Sequence, residues 1–342
     1  MRDEDSGKQL MNGLGTFDQF PDHQRFDKAL AAAREWFTHI SKGGSTGSHT
    51  IKDVCSRYVK HLKANLSEKA GADAEARFDA YVLDSPRLAG TDVTKLTPAA
   101  MEKWRDSLRD RPTKSGANRG KLRTASSLNR DMSCFRAALN LAYRDGFCTS
   151  DFAWRGKLLP IKDADRRREG YLDKAQRRKL LEKASPDLAL FLRGLSLLPL
   201  RPGALADLTA GAFDKRLSVL KIGKDKAGRD RKIKLPKTTA KFFEKAAKDK
   251  LPSAPLFARA DGKAWDKDAW KWPVKAAVEA AKLPDGTTAY TLRHSTISDL
   301  VHGGLDLLTV AQISGTSVRM IEQHYGHLRS DVAALALEQL SL

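Results

Sequence analysis

The residues best suited to chemistry come late in the 342-residue chain. Arg201 stands in Leu198-Pro199-Leu200-Arg201-Pro202-Gly203, and Arg293 follows 92 positions later in Tyr290-Thr291-Leu292-Arg293-His294. Ile313-Ser314-Gly315-Thr316-Ser317 comes next, and Tyr325, in His324-Tyr325-Gly326-His327, lies nine residues past Thr316. When an alkoxide or phenolate attacks a phosphodiester, negative charge crowds onto the non-bridging oxygens. A guanidinium is a permanent cation with planar, paired donors, so Arg201 and Arg293 are of the type that stabilises such charge. No glycine-rich phosphate loop and no His/Cys/Asp spacing typical of a metal site accompanies them, so neither a cofactor nor a metal is expected.

Several elements must position these groups. Asp173 and Gln176 form a capping box ahead of Leu180 and Leu181, so a helical domain opens near Tyr171. Ser185-Pro186-Asp187 starts a strongly apolar helix from Leu188 to Leu198, which leads into the Arg201 corner, where Pro202 suits the first position of another helix. Residues 217–222 and 231–235 read as the strands of a hairpin around Gly223, Asp225 and Gly228. Its connection carries Lys224, Lys226, Arg229, Arg231 and Lys232, a dense group of cations for a turn. Helical patterning resumes near Thr238. His302, ahead of Gly303-Gly304, reads as a helix-end residue favoured by the macrodipole.

Upstream, residues 51–154 read as helices: Val54, Tyr58 and Leu62 are four apart, and Met132, Phe135, Leu139 and Ala142 share one face that Gly146 ends. The segment 111–123 holds Lys114, Arg119, Lys121 and Arg123 without an acid, and fits either phosphate contact or a solvated connector. Residues 154–170 include Arg166, Arg167 and Arg168 and read as a basic interdomain linker able to lie along a duplex. Residues 1–48 contain six basic and seven acidic side chains, with Phe26, Leu30 and Trp36 on a short helix before a Ser/Gly break. The expected organisation is a leader over 1–48, a helical domain over 49–153, the linker over 154–170 and a second domain over 171–342. The fold class is mainly α with a small antiparallel sheet.

Composition narrows the partner. Sixty-one Lys plus Arg against 42 Asp plus Glu give a formal charge of +19 and a pI near 9.8, which favours a polyanion, nucleic acid ahead of a membrane surface. A hydrophobic content of 41% is enough for packed cores and argues against wholesale disorder. The longest apolar stretch, Leu188 to Leu200, is broken by Arg193 and is too short to span a bilayer. The opening Arg2-Asp3-Glu4-Asp5 lacks the order of a secretory signal, so a cytoplasmic location is expected. Cys55, Cys134 and Cys148 are odd in number and far apart, and read as reduced packing residues.

Taken together and in this order, the motifs resemble the tyrosine site-specific recombinases of the phage integrase family. That family carries an Arg in a Leu-Arg-Pro-Gly-like corner, a hairpin Lys, His-x-x-Arg-His, Leu-Gly-His and finally a Tyr. The resemblance covers roughly residues 171–335, and the helical region 49–153 looks like the family's core-binding domain. Lys226-Ala227-Gly228-Arg229 precedes Ile233-Lys234-Leu235 where the family often has Lys-Thr-Gly-Lys before its second strand.

The resemblance implies a two-domain DNA clamp in which a helical core-binding domain joins an α-rich catalytic domain. Arg201 and Arg293 would hold the scissile phosphate, Tyr325 would attack it to give a covalent 3′-phosphotyrosine, and Lys226 would protonate the departing 5′ oxygen. Lys224 is the alternative acid, because hairpin register is not fixed by sequence, and both lysines also suit simple phosphate contact. His294 matches the second His of the signature and supports the site. Double-stranded DNA, a tetramer of this chain on paired sites and accessory DNA-bending proteins are the implied partners, with phage or mobile-element integration and excision as the implied biology. Three positions depart from the pattern: Tyr290 and Thr316 stand where the family has histidines, and Ala204 where many relatives have an acid. They open a second reading, a catalytically attenuated, sequence-specific DNA-binding protein on the same scaffold. His324 and His327 suit structural or phosphate-contact roles, and the apolar tail from Asp331 to Leu340 suits docking on another subunit or on its own domain.

Overall fold

The computed structural model describes residues 11, 14, 16–41, 47–114, 119–164, 170–224, 230–326 and 338. The chain divides into two compact units, 1–166 and 167–342, each with its own core.

The first unit is helical: α1 Asp22–Ser41, α2 Ile51–Asn65, α3 Glu68–Tyr81, α4 Pro86–Ala89, α5 Pro98–Asp110, α6 Ala125–Arg144 and α7 Phe152–Arg155. Thr50, Ser67, Thr97 and Thr124 each accept a backbone N–H at a helix start, which satisfies donors the helix itself leaves unpaired. Burial follows the periodicity: Met132, Phe135, Leu139 and Ala142 of α6 all lie inside, against Ile51, Phe78 and Met101. Cys55 and Cys148 are buried free thiols, and Cys134 is half-buried.

The helical unit runs past the boundary expected at 153. Trp154 and Leu158 are buried in its core, the Trp154 indole N–H donates to Asn140 Oδ1 at 2.8 Å, and Asn129 exchanges two hydrogen bonds with the Ile161 backbone. Large apolar side chains so close to a finished core are held there by burial, whatever the charge of the residues around them.

The second unit comprises α8 Lys174–Lys183, α9 Pro186–Leu197, α10 Pro202–Ala206, strands β1 Phe213–Asp214, β2 Val219–Lys224 and β3 Asp230–Lys234, then α11 Lys237–Ala247, α12 Lys267–Ala280, α13 Ala289–His302, α14 Leu307–Ser314 and α15 Val318–Tyr325. The Asp173–Gln176 capping box forms as expected. The sheet is antiparallel in the order β1-β2-β3, so a two-residue strand adds to the expected hairpin. Leu220 lies opposite Ile233, Lys221 opposite Lys232 and Lys224 opposite Asp230. Ile222 and Gly223 therefore face the single residue Arg231, a bulge that Gly223 accommodates at φ 77°.

Helix α13 organises this unit. It packs on α9, with Thr296 Oγ1 donating to the Leu195 carbonyl at 3.1 Å, and Ser295 Oγ accepts the Leu172 N–H at 2.9 Å where the domain begins. A smaller apolar cluster of Ile297, Val301, Val310, Ala311 and Ile321 ties α13 to α14 and α15 and includes Tyr325. Among the described residues no helix is long and apolar enough to cross a membrane.

Candidate active site

Arg201 caps the start of α10, its backbone extended (φ −65°, ψ 141°) because Pro202 follows. Its guanidinium donates to the Gly315 carbonyl at 2.6 Å. Arg293, from the second turn of α13 and only 5% exposed, donates to the Ser314 carbonyl at 2.8 Å and to the Pro199 carbonyl. Arg231 reaches from β3 to the Ile313 carbonyl at 2.9 Å. Three arginines distant in sequence thus bond three consecutive carbonyls where α14 ends. Those carbonyls lack helical partners and carry the negative end of the helix dipole, so cations are both accepted and oriented there.

The turn has a defined shape. Gly315, left-handed at φ 66° and ψ 50°, closes α14, and the Thr316 amide reaches back to the Ala311 carbonyl at 3.0 Å. The Arg231 guanidinium lies so close to Gly315 that a Cβ there would sit 2.4 Å from its Cζ. Arg201, Arg231, Lys221 and Gly315 line a concavity of about 480 Å³, with Asp207 and Thr209 also on its wall. Burial, then the neighbouring Arg201 charge, pushes the Arg293 guanidinium down to about 10, so it stays cationic at neutral pH. Among the described residues no carboxylate pairs with Arg201 or Arg293.

Tyr325 ends α15, is 8% exposed and shares a hydrogen bond between its hydroxyl and His294 Nδ1. Burial pushes its phenol up to about 12. Tyr290 stands one helical turn before His294, on the same face of α13, with their rings 6.0 Å apart. Arg293 and His294, adjacent on one helix, therefore connect the turn that holds Arg201 to the phenol of Tyr325.

Residues 171–331 match the phage integrase family. The match lies within the second unit, which thus carries a phage integrase domain. No curated protein matches the chain in sequence. Among solved structures it is similar to the Tn1549 transposon integrase in complex with a circular-intermediate DNA, at 18% identity and a TM-score of 0.68, over 86% of this chain and 100% of that one. It is also similar to a lambda integrase dimer bound to a core site, at 18% identity and a TM-score of 0.63, over 95% of this chain and 91% of that one. A lambda integrase tetramer bound to a Holliday junction gives 16% identity and a TM-score of 0.60, over 92% of each chain. At these identities the likeness is one of fold.

The expected residues separate into groups. Arg201, Arg293, His294, Tyr325, Tyr290 and Thr316 come together around the end of α14 and the first turns of α13. Lys226 lies outside the described residues, as do Arg166, Arg167, Arg168 and His327; Lys224 ends β2 opposite Asp230. In the first unit, Arg119 and Lys121 are exposed, and Lys114 is exposed but bonded to Asp84 at 3.3 Å. Arg123 differs: its side chain is 4% exposed, pairs with Asp131 and stacks 3.8 Å from the centre of the Tyr81 ring. It belongs to the interior of its domain, because a buried acid on α6 lies within its reach.

Arg231 is the member of the site that sequence reading passed over as one more cation of the turn. A signal was present. Along β3, Arg231 shares the alternate phase of the buried Ile233 and Leu235, whereas Lys232 and Lys234 occupy the exposed one.

Proposed function

We propose that this protein is a site-specific DNA recombinase that cuts and rejoins duplex DNA through a covalent 3′-phosphotyrosine on Tyr325. One observation carries the reading: Arg201 and Arg293 bond adjacent carbonyls of a single turn, and His294, next to Arg293, bonds the phenol of Tyr325. Two cations and a nucleophile thereby share one site.

Arg201 and Arg293 engage the non-bridging oxygens of the scissile phosphate and stabilise the charge that gathers there. A phenol held at about 12 is protonated at neutral pH, so its proton must leave as it attacks. His294 Nδ1, already in contact with that hydroxyl, accepts it as the Nε2–H tautomer. Tyr325 Oη bonds phosphorus as the bond to the 5′ oxygen breaks, and that oxygen takes a proton from Lys226, with Lys224 as the alternative donor. In the reverse step an incoming 5′-hydroxyl attacks the phosphotyrosine and Tyr325 recovers its proton. The ester is exchanged rather than hydrolysed, so no external energy source is needed. Tyr290 and Thr316, where relatives have histidines, each offer a hydroxyl donor to the same phosphate. The working unit is a tetramer on paired sites, with accessory DNA-bending proteins assisting, and the reaction serves integration and excision of a phage or mobile element.

A nicked suicide duplex taken from sequence flanking the gene tests this reading. Wild-type protein should become covalently linked to it, and Tyr325→Phe should abolish the adduct while leaving duplex affinity within about threefold, since one hydroxyl adds little to a binding surface dominated by phosphate contacts. Tight binding without an adduct would instead establish the attenuated DNA-binding protein.

A further inference from the structure

We propose that Arg231 is a positioning residue for strand cleavage, holding the turn of residues 313–316 so that Arg201, Arg293 and Thr316 meet one phosphate; the inference rests on the recombinase reading above. A guanidinium on the inward phase of a strand is costly unless its donors are engaged. Arg231 is placed there by a bulge: Ile222 and Gly223 on β2 oppose it alone, and bulges next to active sites redirect the side chain they face. The redirected group bonds the Ile313 carbonyl and lies close against Gly315.

What it grips matters more than the grip itself. The same turn supplies the carbonyls that fix Arg201 and Arg293, and Thr316 is its next residue. Arg231 also belongs to β3, so its guanidinium joins that strand to the turn of residues 313–316.

The test uses the full-length protein with Arg231→Ala and Arg231→Lys in single-turnover adduct formation, at rising protein concentration, on two nicked duplexes. One is ordinary; in the other, sulfur replaces the bridging 5′ oxygen, so the leaving thiolate needs no proton. Arg231→Ala should lower the saturated rate by about tenfold to a hundredfold, the scale of a small misplacement of reacting groups, with the half-saturating concentration changed less than about threefold. Arg231→Lys, which keeps one donor for Ile313, should recover part of the rate, and the sulfur duplex should not rescue Arg231→Ala. Amide exchange at Thr316 should quicken in Arg231→Ala, a readout of the turn that needs no turnover. An unchanged saturated rate, an effect confined to half-saturation, rescue by sulfur, or unaltered Thr316 exchange would each overturn the proposal. If wild-type protein forms no more adduct than Tyr325→Phe, the recombinase reading itself fails and the cleavage role of Arg231 falls with it.

Discussion

A side chain at position 315 would meet two obstacles at once. The backbone there is left-handed, which costs a non-glycine residue roughly 1 kcal/mol or more, and the space a Cβ would take is filled by the Arg231 guanidinium. Gly315→Ala should therefore lose stability of about 1–2 kcal/mol in denaturant titrations and slow adduct formation by about tenfold or more, through displacement of Arg231 and of the carbonyl that holds Arg201. Because both changes act on one contact, Gly315→Ala combined with Arg231→Ala should cost less than the sum of the two singles. His294→Ala removes the group touching the phenol and should slow cleavage by about 10²–10⁴, the usual worth of a positioned proton acceptor, with affinity for duplex retained. The meeting of residues at this scale was legible wherever motif order carried it, as for Arg201, Arg293, His294 and Tyr325. It was not legible for Arg231, whose significance lies in a strand phase and a bulge, nor for the burial of Arg123, which depends on Asp131 arriving from another part of the fold.

Helix α13 is the element on which the site depends, since it carries Tyr290, Arg293 and His294 and is held by two buried hydroxyls. Ser295 Oγ accepts the Leu172 N–H, and Thr296 Oγ1 donates to the Leu195 carbonyl, so the helix is fixed at once to the domain's first residues and to α9. Ser295→Ala would leave the Leu172 amide buried without its partner, at a cost of about 1–3 kcal/mol, visible as a lower denaturant midpoint for the second unit. Elements with a strong period or a clear cap were readable from sequence: α9, the α8 capping box, the Pro202 corner and the apolar face of α6. Strand β1 was not, because two residues contain too little pattern to distinguish a strand from a loop. The boundary after 153 also escaped notice. Lys and Arg around Trp154 and Leu158 suggest a linker, yet two buried side chains outweigh the local charge in deciding where the domain ends.

At the scale of the whole molecule, two separate cores and a charge of +19 make distinct demands that two titrations separate. In the first unit, burial raises the thiols of Cys55, Cys134 and Cys148, the latter two to about 11 from an ordinary 9. The folded unit therefore keeps protons that the unfolded chain has already lost. Its stability is fully present below about pH 9 and should decline as pH rises toward 11, and replacing the three cysteines with alanine should flatten that decline in urea midpoints measured at about pH 8 and about pH 10. Salt titration addresses the surplus charge. Binding to duplex should weaken along a straight line of log affinity against log salt, its slope set by the number of phosphates the protein neutralises. Lys121 is exposed in a basic loop, so if that loop meets the backbone, Lys121→Ala should make the slope shallower by about one. Arg123, two residues on, is enclosed by Asp131 and Tyr81 and releases no counterion on binding. Arg123→Ala should leave the slope unchanged and lower the unfolding midpoint of the first unit, because it strands the buried Asp131 carboxylate beside Arg77 alone.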